Sequence, residues 1–146
     1  MRKVEAFTDG SADHLGRGGW AVLLRWGSSE KMFSGSEPGT TNNRMELRAA
    51  LEALRSLKEP CEVFLHTDSE YLRKAFTEGW LEKWQKNGWK TYSKEPVKNQ
   101  DLWLLLLDEI KEHRIDWRWV RGHAGHQENE RVDKEAQRQR RSLKSG

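Results

Sequence analysis

The pattern of apolar and polar residues divides the chain into strand-like and helix-like segments. Strand-like runs come first, at residues 3–8, 19–26 and 30–36, and Gly27-Ser28-Ser29 is typical of a hairpin turn. Candidate N-caps at 40–43 predict a helix to about Leu57, and the apolar run at 62–67 predicts a buried strand. The other predicted elements are helices at about 69–78, 80–87 and 101–113, a strand at 115–120 and a helix from about residue 128. This succession predicts an α/β domain.

Acidic residues follow two of the predicted strands. Asp9 comes directly after the first strand, and Asp68 comes directly after the strand at 62–67. If these strands are parallel neighbours joined through the first helix, both aspartates lie side by side at the carboxyl ends of the strands. In open α/β sheets, functional sites form at that edge.

Two further acids belong to predicted helices. Glu46 shares a helical stripe with Ala50, Ala53 and Leu57, which is an unusual place for a solubilising acid. Asp133 lies beside an apolar pair near the start of the last helix. Any one of these acids alone could be a helix cap or a surface residue. The sequence predicts that together they form one cluster.

Clustered carboxylates repel unless protons or cations hold them together. Oxygen ligands at neutral pH favour Mg²⁺ or Mn²⁺. Two such ions can activate a water and stabilise the leaving oxygen of a phosphodiester. Zinc is disfavoured because Cys61 is the only cysteine and lies far from the histidines in sequence.

Composition narrows the class of protein. Of 146 residues, 34% are charged and 35% hydrophobic, which fits one globular domain and excludes a disordered chain. No apolar run approaches the roughly 18 to 20 residues of a membrane span. The lone Cys61 excludes an internal disulfide, and Met1-Arg2-Lys3 leads directly into a strand. We therefore expect a cytoplasmic single domain over 1–146, with a tail at 138–146 that frays.

A basic segment interleaved with aromatic residues extends over residues 80–98. It carries five lysines against two glutamates, and Trp80, Trp84 and Trp89 lie among them. Such a segment can grip a nucleic-acid strand through its sugars and phosphates. Helical spacing is equally compatible with Trp80 and Trp84 in the core. We expect one of the three tryptophans to be exposed.

His123 lies in the glycine-rich loop after the last predicted strand, near the acidic edge of the sheet. An imidazole there could carry protons to or from water or the leaving 3′ oxygen. The alternative is a hydrogen bond within the loop, and the residue type alone leaves both open. We expect His126 to brace the same loop.

Several motifs occur together and in order, and through them the chain closely resembles a bacterial type 1 ribonuclease H over nearly its whole length. They are Thr8-Asp9-Gly10-Ser11, Thr40-Thr41-Asn42-Asn43-Arg44-Met45-Glu46-Leu47, Thr67-Asp68-Ser69, Gly88-Trp89-Lys90-Thr91, Gly122-His123-Ala124-Gly125-His126 and Asn129-Glu130-Arg131-Val132-Asp133. The resemblance implies a five-stranded mixed sheet of order 3-2-1-4-5 with helices on both faces. It also implies endonucleolytic cleavage of the RNA strand of RNA–DNA hybrids, leaving 5′-phosphate and 3′-hydroxyl ends.

The resemblance assigns residues to these roles. The implied cofactor is Mg²⁺, two ions per site with substrate and Mn²⁺ as a substitute; the implied partner is the hybrid, bound by a monomer. The metal ligands it implies are Asp9, Glu46, Asp68 and Asp133, with His123 as the catalytic loop histidine. Implied substrate contacts are Gly10, Asn42 and Asn43 near the scissile RNA, Thr41 and Asn99 at a DNA phosphate, and Trp80, Lys86 and Trp89 within the basic protrusion at 80–98.

Two departures from the family pattern leave substrate contacts unassigned. The turn at 12–18 lacks the asparagine of a Gly-Asn-Pro-Gly-like sequence, and Glu70 stands where many bacterial relatives have glutamine. Two rival functions remain: a transposase or integrase core that joins DNA strands, and a non-catalytic hybrid-binding module. The compact single domain and the intact basic segment disfavour the first, and the complete set of four acids disfavours the second.

Overall fold

A five-stranded mixed sheet forms the centre of the computed structural model, which describes residues 1–121 and 126–143. The elements are β1 (Arg2–Ala12), β2 (Gly18–Trp26), β3 (Ser29–Glu37), α1 (Asn42–Arg55), β4 (Cys61–Thr67), α2 (Glu70–Thr77), α3 (Trp80–Lys86), α4 (Gln100–Lys111), β5 (Arg114–Trp119) and α5 (Gln127–Ser142). The strand order is β3-β2-β1-β4-β5. The pairs β1–β2 and β2–β3 are antiparallel, whereas β1–β4 and β4–β5 are parallel. This arrangement confirms the predicted fold.

Helices cover both faces of the sheet. Successive residues of β1 point to opposite faces, so Ala6 packs in the larger core beneath α1 and α4, and Phe7 packs in a smaller core beneath α5. Trp103 of α4 is fully buried in the larger core. No helix within the described ranges combines the length and apolarity needed to cross a bilayer.

β1 is longer than its sequence predicts, and this places its acid differently. The strand continues through Asp9 to Ala12 because it stays paired with β2, ending at Ala12 opposite Gly18. Its parallel pairing with β4 stops earlier, at Phe7 opposite His66. Asp9 therefore lies inside a strand, just beyond the point where β1 and β4 separate.

The last helix also differs from the expectation of a fraying tail from Arg138, because α5 remains helical to Ser142. Long-range contacts explain the difference. The Arg140 guanidinium donates to Ser11 Oγ at 2.6 Å. A Cβ added to Gly19 would lie 2.0 Å from the carbonyl oxygen of Ala136, so the glycine allows α5 to lie directly on β2.

The three tryptophans of the basic segment are all partly buried, so the expectation that one would be exposed is wrong. Trp84 packs between Trp80 and Trp89, with ring centroids 5.9 and 5.7 Å away, and also contacts Trp103 at 5.9 Å. The indoles thus join α3 and the following loop to the core of the domain. The exposed aromatic residue of the segment is Tyr92.

Candidate active site

Carboxylates from three elements converge at one edge of the sheet. Asp9 of β1, Glu46 of α1 and Asp68, which follows β4, each place a carboxylate oxygen within 4.8 Å of the other two. Asp133 of α5 lines the same cavity of about 330 Å³ and is hydrogen-bonded to Asp9. The predicted convergence of the four acids is therefore present in the fold.

Close packing of α1 against β1 brings Glu46 to the sheet. The backbone N–H of Gly10 donates to Glu46 Oε1 at 2.5 Å. A Cβ at Gly10 would lie 2.2 Å from the carbonyl carbon of Met45, so a larger residue would push the helix away. Glu46 is the fifth residue of α1 and is only 8% exposed.

Helix capping places the third carboxylate. Ser69 is the N-cap of α2, and its Oγ accepts a hydrogen bond from the backbone N–H of Leu72 at 3.1 Å. The same hydroxyl is hydrogen-bonded to Glu46. Because Asp68 precedes this cap directly, the α2 N-terminus fixes its backbone beside Glu46.

The buried pair Asp9 and Glu46 has strongly shifted proton affinity. Burial, then the charge of Glu46 and its hydrogen bond, raise the pKa of Asp9 far above the usual range, and Asp68 and Asp133 raise it further. Burial also raises the pKa of Glu46, although the hydrogen bond from Asp9 partly offsets this effect. In the absence of a cation, the folded protein therefore favours a protonated form of this pair more than the unfolded chain does.

The cluster fits a hard divalent cation. Its donors are all carboxylate oxygens, and no histidine or thiol belongs to the group found among the described residues. Mg²⁺ and Mn²⁺ prefer such ligands. Asp9 and Glu46 are both buried. A cation bound between them would neutralise the negative charge of their ionised carboxylates.

Three of the residues assigned to RNA contacts line the acidic cavity. Gly10, Asn42 and Asn43 all border it. Asn42 Oδ1 accepts a hydrogen bond from the backbone N–H of Ala12 at 2.5 Å, which fixes its side chain against the end of β1. Asn43 is exposed at the mouth of the cavity.

Arg44 connects the two residues assigned to a DNA phosphate. Its backbone N–H donates to Thr41 Oγ1 at 3.2 Å, and its guanidinium donates to Asn99 Oδ1 at 3.4 Å. Asn99 Nδ2 in turn donates to the Tyr71 hydroxyl at 3.2 Å. Arg44 is itself held by Asp101, with donor–acceptor distances of 3.0 and 2.7 Å. Sequence reasoning did not find this role of Arg44.

The three residues assigned to the basic protrusion have different surroundings in the structure. Trp80 lines an open groove of about 890 Å³ together with Lys83, Lys90 and Tyr92. Lys86 is exposed at the end of α3, and Trp89 packs against Trp84. The lysines and exposed ring edges therefore form the surface, and Trp89 supports it from beneath.

The two assigned loop histidines have different outcomes. His123 lies outside the described residues, so its role stays a prediction. His126 occupies the N-cap position of α5 and makes no side-chain capping hydrogen bond there. Its predicted bracing of the loop is untested.

The two departures from the family pattern have defined surroundings. Glu70 borders the acidic cavity, is exposed, and pairs with Arg73 at 2.5 Å. In the turn, Asp13 Oδ1 accepts backbone N–H groups of Leu15 and Arg17 at 2.9 and 3.0 Å. Asp13 thus rigidifies the turn at 12–18 from within.

Gln137 is a further residue at the site that sequence reasoning missed. Its Nε2 donates to Asp133 Oδ2 at 3.0 Å. The i, i+4 spacing on α5 was the available signal, since residues at that spacing are neighbours on a helix surface.

Comparison with known proteins agrees with this geometry. The RNase H family matches residues 1–141 of the chain. Ribonuclease H of Thermus thermophilus is 59% identical over 142 residues, covering 97% of this chain and 86% of the relative. Ribonuclease H of Brucella ovis is 55% identical over 134 residues, covering 91% and 86%.

A solved structure extends the agreement to the fold. LC9-RNase H1, a type 1 RNase H with the type 2 active-site motif, superposes with a TM-score of 0.85 at 32% identity, covering 99% of this chain and 74% of that chain. Sequence and fold therefore agree along nearly the full length, and a cluster of carboxylates stands at the edge of the sheet: the chain belongs to the ribonuclease H family of nucleases, which hydrolyse phosphodiester bonds.

Proposed function

We propose that this protein is a cytoplasmic, monomeric endoribonuclease that cleaves the RNA strand of RNA–DNA hybrids, with residues 1–146 as one catalytic domain. The products are 5′-phosphate and 3′-hydroxyl ends. The observation that carries the proposal is the convergence of the Asp9, Glu46 and Asp68 carboxylates within 4.8 Å in a chain of this family.

The four acids would hold Mg²⁺, two ions with substrate, and Mn²⁺ would substitute. Asp9, Glu46, Asp68 and Asp133 offer the all-oxygen donor set that these ions prefer. When bound, the ions supply an activated water and charge stabilisation for the leaving 3′ oxygen.

Two further contributions are expected at the acids: positioning of the Glu46 carboxylate and movement of protons. Gly10 N–H and Ser69 hold the Glu46 carboxylate in place, which reduces the reorganisation needed for catalysis. The proton held between Asp9 and Glu46 must leave before both can act as ligands. His123 would move protons at the attacking water or the leaving 3′ oxygen, or assist product release.

Substrate contacts divide between the two strands of the hybrid. Gly10, Asn42 and Asn43 border the acidic cavity and would contact the RNA near the scissile bond. Hydroxyl groups at the 2′ position distinguish RNA from DNA at such contacts. The Thr41 and Asn99 pair would hold a DNA phosphate.

The basic protrusion would hold the DNA strand further along. Its residues Trp80, Lys86 and Trp89 combine exposed charge with aromatic surface, and such contacts bind nucleic acid without reading its sequence. Binding should therefore weaken steeply as salt concentration rises.

Cleavage of labelled RNA–DNA, RNA–RNA and DNA–DNA duplexes in Mg²⁺ tests the proposal. We expect cleavage of the RNA strand of the hybrid alone, abolished by Asp9→Asn and unchanged by Asp108→Asn, whose side chain is 76% exposed on α4. Comparable activity on DNA–DNA would favour a strand-joining enzyme. Hybrid binding without cleavage in Mg²⁺ or Mn²⁺ would favour a binding module.

A further inference from the structure

Asp133 is the one member of the acidic set that lies on α5, and a neutral side chain holds it. Gln137 Nε2 donates to Asp133 Oδ2 at 3.0 Å, and both residues are partly buried. Asp133 is also hydrogen-bonded to Asp9. The Asp133 carboxylate is therefore held by two partners, Gln137 on its own helix and Asp9 on the sheet.

The backbone beneath this carboxylate is already fixed. Val132 and Ala136 are fully buried in the smaller core, and the Gly19 backbone lies against the carbonyl of Ala136. The bond from Arg140 to Ser11 holds the same helix one turn further on. The freedom that remains at Asp133 is therefore rotation of its side chain, and Gln137 restrains that rotation.

We propose that Gln137 is a positioning residue for Asp133, holding one carboxylate oxygen so that the group presents a defined orientation to a divalent cation. The inference rests on the proposed function of the acids as metal ligands. Groups that hydrogen-bond to ligating side chains orient them, and their loss commonly costs 10- to 100-fold in metal affinity or activity. An amide donor restrains Asp133 without adding charge to the acidic cluster.

Two substitutions separate orientation from packing. Gln137→Met keeps the length and helix propensity of the side chain but removes the donor, so Mn²⁺ affinity should fall about tenfold. The matched control is Gln139→Met, because Gln139 lies on the same helix but bonds Ser34 and Glu135.

Calorimetric titration of each protein with Mn²⁺ in the absence of substrate provides a readout independent of activity. Hybrid cleavage as a function of Mn²⁺ concentration provides the second, together with KM for the hybrid. We expect Gln137→Met to weaken Mn²⁺ binding and raise the half-saturating concentration about tenfold, with KM for the hybrid at saturating Mn²⁺ unchanged.

The outcomes distinguish this inference from the proposed function. Equal Mn²⁺ affinity for wild type and Gln137→Met would overturn the positioning role. A wild-type protein that neither binds Mn²⁺ nor cleaves the hybrid would instead overturn the proposed function. Urea unfolding of each variant detects misfolding, and a loss of affinity shared by Gln139→Met would also count against the positioning role.

Discussion

Substitution of Asp9 by asparagine should stabilise the metal-free protein while removing its activity. The asparagine amide has nearly the same shape as the carboxyl, and its N–H₂ can donate to Glu46 where the shared proton now lies. One charge leaves a buried cluster, so repulsion falls. A metal ligand is lost at the same time.

The magnitude follows from the separation of the carboxylates. Unit charges on two of these carboxylates, whose oxygens lie within 4.8 Å of each other, repel by at least about 3.5 kcal/mol at an effective dielectric constant of about 20. The shared proton already relieves part of this repulsion in the wild type. We therefore expect the free energy of unfolding to rise by about 1 to 3 kcal/mol at pH 8 in EDTA.

The gain should depend on pH with a defined sign. Asp9 and Glu46 have usual pKa values of 3.8 and 4.5, and both are raised in the folded state. The folded wild type thus binds protons more tightly than the unfolded chain and loses stability as pH rises above about 4. The advantage of Asp9→Asn should be absent near pH 4 and grow through neutral pH.

Urea unfolding followed by tryptophan fluorescence at pH 4, 6 and 8 measures the difference. Asp101→Asn is the control of opposite sign, because the Arg44 hydrogen bonds lower the pKa of Asp101 to about 2. Asp101 is a mostly exposed partner, so its loss should destabilise the protein by less than about 1 kcal/mol at pH 8. A destabilised, pH-independent Asp9→Asn protein would show that Asp9 supports the fold rather than the site.

Three other perturbations test separate parts of the molecule. His123→Ala should slow turnover roughly 10²-fold in single-turnover assays, whereas His14→Ala, at an exposed turn, should change nothing; equal rates for both would refute the proton-transfer role. Gly10→Ala should cost about 1 to 3 kcal/mol in urea unfolding because its Cβ meets the Met45 backbone, with a smaller loss for Gly39→Ala, whose Cβ meets nothing within 4 Å and whose cost comes only from its left-handed backbone at φ 61°. EDTA should abolish hybrid cleavage and added Mg²⁺ should restore it, while circular dichroism stays unchanged; full activity in EDTA would exclude metal-dependent hydrolysis.

Local sequence patterns were sufficient to predict the convergence of the acids. Asp68 follows β4, and Asp9 lies in β1 just beyond the parallel pairing of the two strands, so the pairing places them together; Glu46 shares its stripe with buried alanines. These signals are short-range and periodic, so a sequence displays them directly. The metal and substrate roles of the residues remain predictions, because they concern molecules that bind to the protein.

Long-range contacts account for what the sequence did not predict. Arg140 bonds Ser11 from the opposite end of the chain, which keeps helical a segment whose charge suggests a frayed tail. Trp84 packs against Trp103 of another helix and against Trp89, and no helical period reveals the neighbour on the other helix. In each case tertiary packing decides between two locally equivalent outcomes.

The four acids come from β1, α1, the β4–α2 junction and α5, so an ion bound among them would also have a mechanical role. A cation bound to these acids would link segments from the beginning, middle and end of the polypeptide. It would act as a crosslink that can be removed. Binding only to the native state would add about 2.7 kcal/mol when free ion exceeds Kd a hundredfold. The free energy of unfolding would then be highest at the metal-ion concentrations that the proposed activity requires.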